Sequence, residues 1–154
     1  MDTSRLTKTA SPMSETIWTL HPQLAADTVT VGNLALSRVL LAKDANYPWL
    51  ILVPRRAGAS ELTDLPQAEQ VQLLGEIGAA ADALNCTVPC DKLNIAALGN
   101  MVAQLHVHVI ARTKGDAAWP KPVWGAAEPR AYEAAALAGM LATLRARLGI
   151  SSVT

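Results

Sequence analysis

Gln104-Leu105-His106-Val107-His108-Val109-Ile110 places two imidazoles two residues apart in an apolar run. A strand reverses side-chain direction at each residue, so Gln104, His106 and His108 share one face while Leu105, Val107 and Val109 share the other. Near neutral pH an imidazole serves as nucleophile, base or metal ligand, and a second ring beside it supplies a proton or a further ligand. Alternating His and Val also occurs on ordinary half-exposed strands, where the rings bond to backbone or water. The surrounding sequence has to decide between these readings.

Thr28 to Asn33 and Leu36 to Ala42 read as strands joined by a tight turn containing Gly32 and Asn33. A short helix begins before them within Thr19 to Leu24, capped by Thr19 or a neighbour. Beyond the turn from Lys43 to Pro48, the run Trp49-Leu50-Ile51-Leu52-Val53 has lost all alternation, as a central strand covered on both faces does, and Pro54 ends it. Asp64 or Thr63 caps a helix from Pro66 to Leu84, with Val71, Leu73, Leu74, Ile77, Ala81 and Leu84 as its apolar stripe. Lys92 to Leu98 and Met101 to Ala111 read as two more strands around a Gly99-Asn100 turn. A Pro-rich loop containing Trp119 and Trp124 follows. The second main helix starts at Pro129, carries Tyr132, Leu137, Met140, Leu141, Leu144 and Leu148, and stops at Gly149. The expected class is therefore α+β, a five-stranded antiparallel sheet with two main helices. Residues 1–14 are expected to be a flexible tail and residues 15–154 one domain.

Half of the 154 residues are apolar and 17% are charged, which describes a folded globule rather than a disordered chain. Thirteen Lys and Arg balance thirteen Asp and Glu, and no block of like charge exceeds the pair Arg55-Arg56. An extended nucleic-acid footprint needs clustered positive charge, so that partner is excluded while a small phosphate-bearing ligand remains compatible. The start has no apolar signal region, and no stretch reaches the roughly 18 apolar residues of a membrane span, so a cytoplasmic protein without membrane contact is expected. Cys86 and Cys90 lack the two-residue spacing of a metal knuckle or redox pair and read as buried or free thiols. No cofactor and no resident metal are expected.

The segment Gly99 to Ile110 resembles the signature of the histidine triad (HIT) family, His-φ-His-φ-His-φ-φ with φ apolar. Leu50-Ile51-Leu52-Val53-Pro54-Arg55-Arg56 resembles the family's apolar strand ending in Pro and basic residues. With the helix from Pro66 to Leu84 between them, the likeness runs in order over residues 30 to 112.

The resemblance implies a HIT-like fold and a nucleotide-binding enzyme, usually a homodimer. Such enzymes hydrolyse or transfer nucleoside monophosphate groups from dinucleoside polyphosphates, phosphoramidates or related nucleotides. It assigns His106 to attack on the α-phosphorus, with a nucleotidyl-histidine intermediate, and His108 to contact with the phosphate. Gln104 replaces the first histidine of the motif. Asn94 falls near the position of a phosphate-touching Asn or Gln, and Met101 falls where some nucleoside phosphoramidases place a leaving-group Ser. Trp49 stands in place of an upstream histidine, where it either stacks on a base or fills the core. Arg112 follows the face of His106 and His108 and reaches either solvent or a distal phosphate, as do Arg55 and Arg56. The late segment of some family members crosses into the partner's site, which makes Trp124 a candidate ligand neighbour. His21 reads as a solvated or capping residue.

The chemistry stands beside the resemblance. A phosphoanhydride resists water because its phosphorus is negatively shielded, whereas an unprotonated imidazole is a competent nucleophile. The ring nitrogen that does not attack needs an acceptor such as a backbone carbonyl. A polyphosphate leaving group departs with less proton assistance than an amine, so a site with Met101 in place of Ser favours anhydrides. Two alternatives stay open: a nucleotide-binding protein without turnover, and a metal-dependent hydrolase using His106 and His108, for which no third ligand is placed by local spacing.

Overall fold

Residues 17–151 are described by a computed structural model. Within them the chain runs α1 (Pro22–Asp27), β1 (Thr28–Asn33), β2 (Ser37–Ala42), β3 (Trp49–Pro54), α2 (Gln67–Thr87), β4 (Lys92–Ala96), β5 (Val107–Arg112) and α3 (Ala134–Leu148). The strands form one antiparallel sheet in the order β1-β2-β3-β5-β4. This is the expected α+β architecture, a five-stranded antiparallel sheet with two main helices. The tail expected at residues 1–14 lies outside the described residues. Among the described residues no helix is long and apolar enough to cross a membrane.

The two faces of the sheet have different covers. Val39, Leu41, Leu50, Leu52, Val109 and Ala111 point to the side where α2 contributes Ala80, Ala81 and Leu84 and α3 contributes Leu144. Full burial of each large aliphatic side chain stabilises by about 1.5–3 kcal/mol, so this layer is the main driving force of the fold. The opposite face carries Leu40, Ile51, Val53 and Ile110. An N-terminal segment with Trp18, Leu20 and Leu24 covers part of it, and the late loop with Ala118 and Val123 covers the rest. β3 is apolar along its length because both of these layers press on it.

Glu76 ties α2 to the sheet. Its buried carboxylate accepts the main-chain N–H of Leu36 at 2.7 Å and of Ser37 at 2.9 Å, satisfying two donors at the entry to β2.

Several boundaries differ from the sequence expectation, each for a local reason. Gly32 and Asn33 belong to β1, where the register slips between Thr30 and Gly32, and residues 34–36 make the turn. Arg145 of α3 donates to the carbonyls of Thr30 and Val31 at that irregularity. The cap of the first helix does agree with the expectation, being His21, a neighbour of Thr19, whose Nδ1 accepts the Gln23 N–H. Asp64 does not cap α2; its carboxylate accepts the N–H groups of Ser60 and Glu61 and closes a 3-10 turn at Leu62–Asp64. Val71 and Leu74 are exposed on α2 rather than part of its buried stripe. The second main helix begins at Ala134, not Pro129. The preceding stretch is held to the turn before β3 by Arg130 N–H on Asp44 and Ala45 N–H on the Arg130 carbonyl, which keeps Tyr132 outside the helix.

Candidate functional site

The histidine strand is shorter than its alternation suggests. Pairing with β3 ends at Leu52 and Val107, and pairing with β4 ends at Ala96 and His108, so Met101 to His106 lead into β5 as an irregular segment. Alternation nevertheless persists through Leu105 and Val107, which pack with Leu36, Leu65 and Leu73, while His106 and His108 turn to the other side. The two rings meet edge to face, with centroids 4.8 Å apart. They are 7% and 6% exposed.

Their ring nitrogens are assigned by their neighbours. Nδ1 of His106 lies 2.6 Å from the carbonyl oxygen of Gln104. A carbonyl only accepts, so this nitrogen carries the proton, and in the uncharged form of the ring the lone pair is on Nε2. Nδ1 of His108 receives the indole N–H of Trp49 at 3.0 Å. An indole only donates, so here Nδ1 holds the lone pair and Nε2 the proton. Burial, then the adjacent His106 ring, pushes His108 down from the usual 6.5 to about 4, so it is neutral at physiological pH. Two adjacent imidazoles thus have opposite tautomers, one offering a lone pair at Nε2 and the other an N–H.

A cleft of about 90 Å³ opens beside His106, between Ser60, Glu61 and Leu62 on one side and Ala97, Leu98 and Gly99 on the other. His106 is therefore buried yet borders an opening. On the far side, Trp124 meets His108 edge-on at 5.1 Å and Trp49 at 5.8 Å, and it continues into a shallow groove with Trp119 and Lys121.

The other candidates divide. Asn94, on β4 opposite Ile110, uses its Oδ1 to accept from Arg112 at 2.8 Å and keeps its Nδ2 as a donor. Gln104 lines the cleft, but its amide is occupied: Oε1 accepts the His21 N–H and Nε2 donates to the Thr19 carbonyl, both at 2.9 Å. Met101 is not on the strand; its side chain is 97% exposed and does not border the cleft. Trp49 neither faces a cavity alone nor merely fills the core, since its indole N–H is the partner of His108.

Arg112 requires a correction. It is 2% exposed, and its guanidinium forks onto Asp116 at 2.7 and 3.0 Å while its third bond goes to Asn94. This pairing holds Asp116 at about 2, well below the usual carboxylate range. Arg112 thus does not reach solvent, and three of its five N–H groups are held by Asp116 and Asn94. Arg55 donates to the carbonyls of Leu34, Ala35 and Leu36, and Arg56 pairs with Glu69. All three arginines already have protein partners.

Ser60 at the cleft and Asp116, paired with Arg112 where the late loop begins, were not singled out from the sequence. Neither had a signal, since a four-residue spacing brings two side chains together on a helix and Arg112 to Asp116 is a strand end and a turn. Among the described residues no three His, Cys, Asp or Glu side chains gather at a point that would hold a metal. Cys86 and Cys90 are free thiols.

The HIT domain family matches residues 23–115. A histidine triad protein from Bradyrhizobium japonicum is 53% identical, with 86% of this chain and 99% of that one covered at a TM-score of 0.85. One from Marinobacter aquaeolei VT8 is 45% identical over 87% and 98% of the two chains, at 0.84. A third, from Sinorhizobium meliloti 1021, is 39% identical over 84% and 96%, at 0.82. No curated protein matches the chain.

Proposed function

The chain belongs to the histidine triad family, a family of nucleotide-binding hydrolases and transferases, and on that premise we propose that it cleaves dinucleoside polyphosphates at the α-phosphorus. The observation that carries this reading is the pair of opposite tautomers at His106 and His108.

Nε2 of His106 attacks the α-phosphorus. The N–P bond forms as the P–O bond to the departing nucleotide breaks, and that nucleotide leaves as an anion without needing a proton. Water then attacks the same phosphorus and loses its proton to solvent. The N–P bond breaks, and the nucleoside monophosphate leaves with the ring restored. His108 Nε2–H and the Nδ2 of Asn94 are the neutral donors to the phosphorus-bound oxygens, and the Gln104 carbonyl orients the nucleophile. Met101, out in solvent, offers no proton to an amine, which favours anhydrides over phosphoramidates.

The cleft is small beside the roughly 300–1,000 Å³ of ordinary ligand pockets, so it takes a phosphate while the nucleoside lies on the open surface. Trp124, 40% exposed beside His108, is the stacking wall for a base, an interaction of about 1–3 kcal/mol. A second copy of the chain is the partner proposed for the open edge at β4, where Ile95 and the following Leu98 stand exposed.

Rapid quenching with an α-labelled dinucleoside polyphosphate, followed by mass mapping, tests the chemistry. The expected result is a nucleotidyl group on His106. Nucleotide binding with neither product nor adduct would leave a binding protein instead. Sedimentation at dilute concentration tests the dimer, and a strictly monomeric species removes it.

A further inference from the structure

We propose that Trp49 is a positioning residue whose indole N–H locks His108 into the Nε2–H tautomer, making that ring a standing hydrogen-bond donor rather than a second base. This rests on the reading of His106 and His108 given above and adds to it a residue that acts through another.

The Nε1 to Nδ1 distance is 3.0 Å, and an indole nitrogen has no acceptor role, so while this bond exists Nδ1 of His108 cannot carry a proton. Sheet register holds the bond in place. Trp49 lies opposite Ile110 and His108 lies opposite Ile51, so the two rings are diagonal neighbours on one face of the β3–β5 pair. Trp49 is also wedged edge-on between Tyr47 at 6.4 Å and Trp124 at 5.8 Å, which prevents the indole from swinging away.

The consequence is chemical. A lone pair on Nε2 of His108 would repel a phosphate oxygen, whereas an N–H attracts it. An indole does not titrate, so its choice of tautomer is the same at every pH at which His108 stays neutral. The groups facing His108 are Trp49 and Ile51 from β3, Ala96 from β4, Trp124 from the late loop and His106 from its own segment; of these only His106 ionises. Burial keeps His108 neutral, in agreement with this role.

Long-range proton–nitrogen NMR spectra of ¹⁵N-histidine-labelled protein, taken without substrate from pH 5 to 8, test the proposal. The wild type is expected to show His108 with a bare Nδ1 and a protonated Nε2. In W49F, which keeps an aromatic ring but no N–H, both tautomers are expected and protonation begins at a higher pH. A protonated Nδ1 in the wild type, or an unchanged W49F spectrum, overturns the proposal. Should W49F not fold, exchange of the Trp49 indole proton in H108A replaces it: the rate is expected to rise about tenfold as the acceptor is lost, and an unchanged rate overturns the proposal equally. All these readouts use the free protein, so a failure to hydrolyse nucleotides sinks the functional reading without altering them.

Discussion

Nδ1 of His106 stands 2.6 Å from the carbonyl oxygen of Gln104, so the residue two positions before His106 orients its imidazole through the main chain. Any side chain at 104 preserves that contact as long as the backbone keeps its path. The imidazole of His106 has no such substitute. H106A is expected to lower turnover of a dinucleoside polyphosphate by about a thousandfold or more and to abolish the covalent adduct. Steady-state rates and mass mapping check both, and undiminished turnover would show that another group attacks.

The side chain of Gln104 has a different task. Its amide bonds to Thr19 and His21 hold the segment that covers part of the histidine face. Q104A is expected to cost about 1–3 kcal/mol, two ordinary hydrogen bonds, with adduct formation on His106 retained. Urea denaturation measures the first, and loss of the adduct in this variant would contradict the separation of roles.

Removing one partner of the buried Arg112–Asp116 pair leaves an uncompensated charge. D116N is expected to destabilise by about 3–5 kcal/mol. Asp116 is held at about 2 in the fold against an ordinary 3.8, so its contribution is complete above pH 4 and is lost as pH falls toward 2. Denaturation of wild type and variant at pH 7 and pH 3 should show the gap narrowing in acid. A constant gap would exclude the pair as its origin.

His108 acts over a higher range. Its folded value of about 4 lies below the usual 6.5, so on acidification the unfolded chain takes up this proton first. Stability from this group is whole above about pH 6.5 and declines as pH falls toward 4. Melting temperatures measured at half-unit steps are expected to fall through that window in the wild type and to fall less in H108Q. Equal slopes would place the acid sensitivity elsewhere.

The sheet and its two long helices were legible because apolar period and turn residues agree with the tertiary layers: β3 is apolar throughout and is covered on both faces. Ends were less legible. Whether Met101 to His106 pair depends on where β3 and β4 stop, and where α3 begins depends on Asp44 and Arg130, which are far apart in sequence. At the site, alternation placed His106 and His108 on one side. It could not tell that Arg112 would find Asp116 and Asn94, since a guanidinium leaving a strand looks the same whether its partner is a phosphate or a carboxylate. Trp49 carried a usable signal: a Trp inside a packed strand needs an acceptor for its N–H, and a histidine two strands later in the sequence supplies one.

The engagement of Arg55, Arg56 and Arg112 by protein groups bears on how a ligand arrives. The carboxylates of Glu69 and Asp116 cancel the fields of Arg56 and Arg112 at short range, and the N–H groups of Arg55 are taken up by main-chain carbonyls. Lys121 lines the neighbouring groove, where it is placed to draw an anion inward. Long-range steering is then weak, and encounter falls near the unassisted scale of about 10⁵–10⁶ M⁻¹s⁻¹. Ionic strength should therefore have little influence on the capture step, and selectivity among anions falls to the shape and donors of the cleft once contact is made.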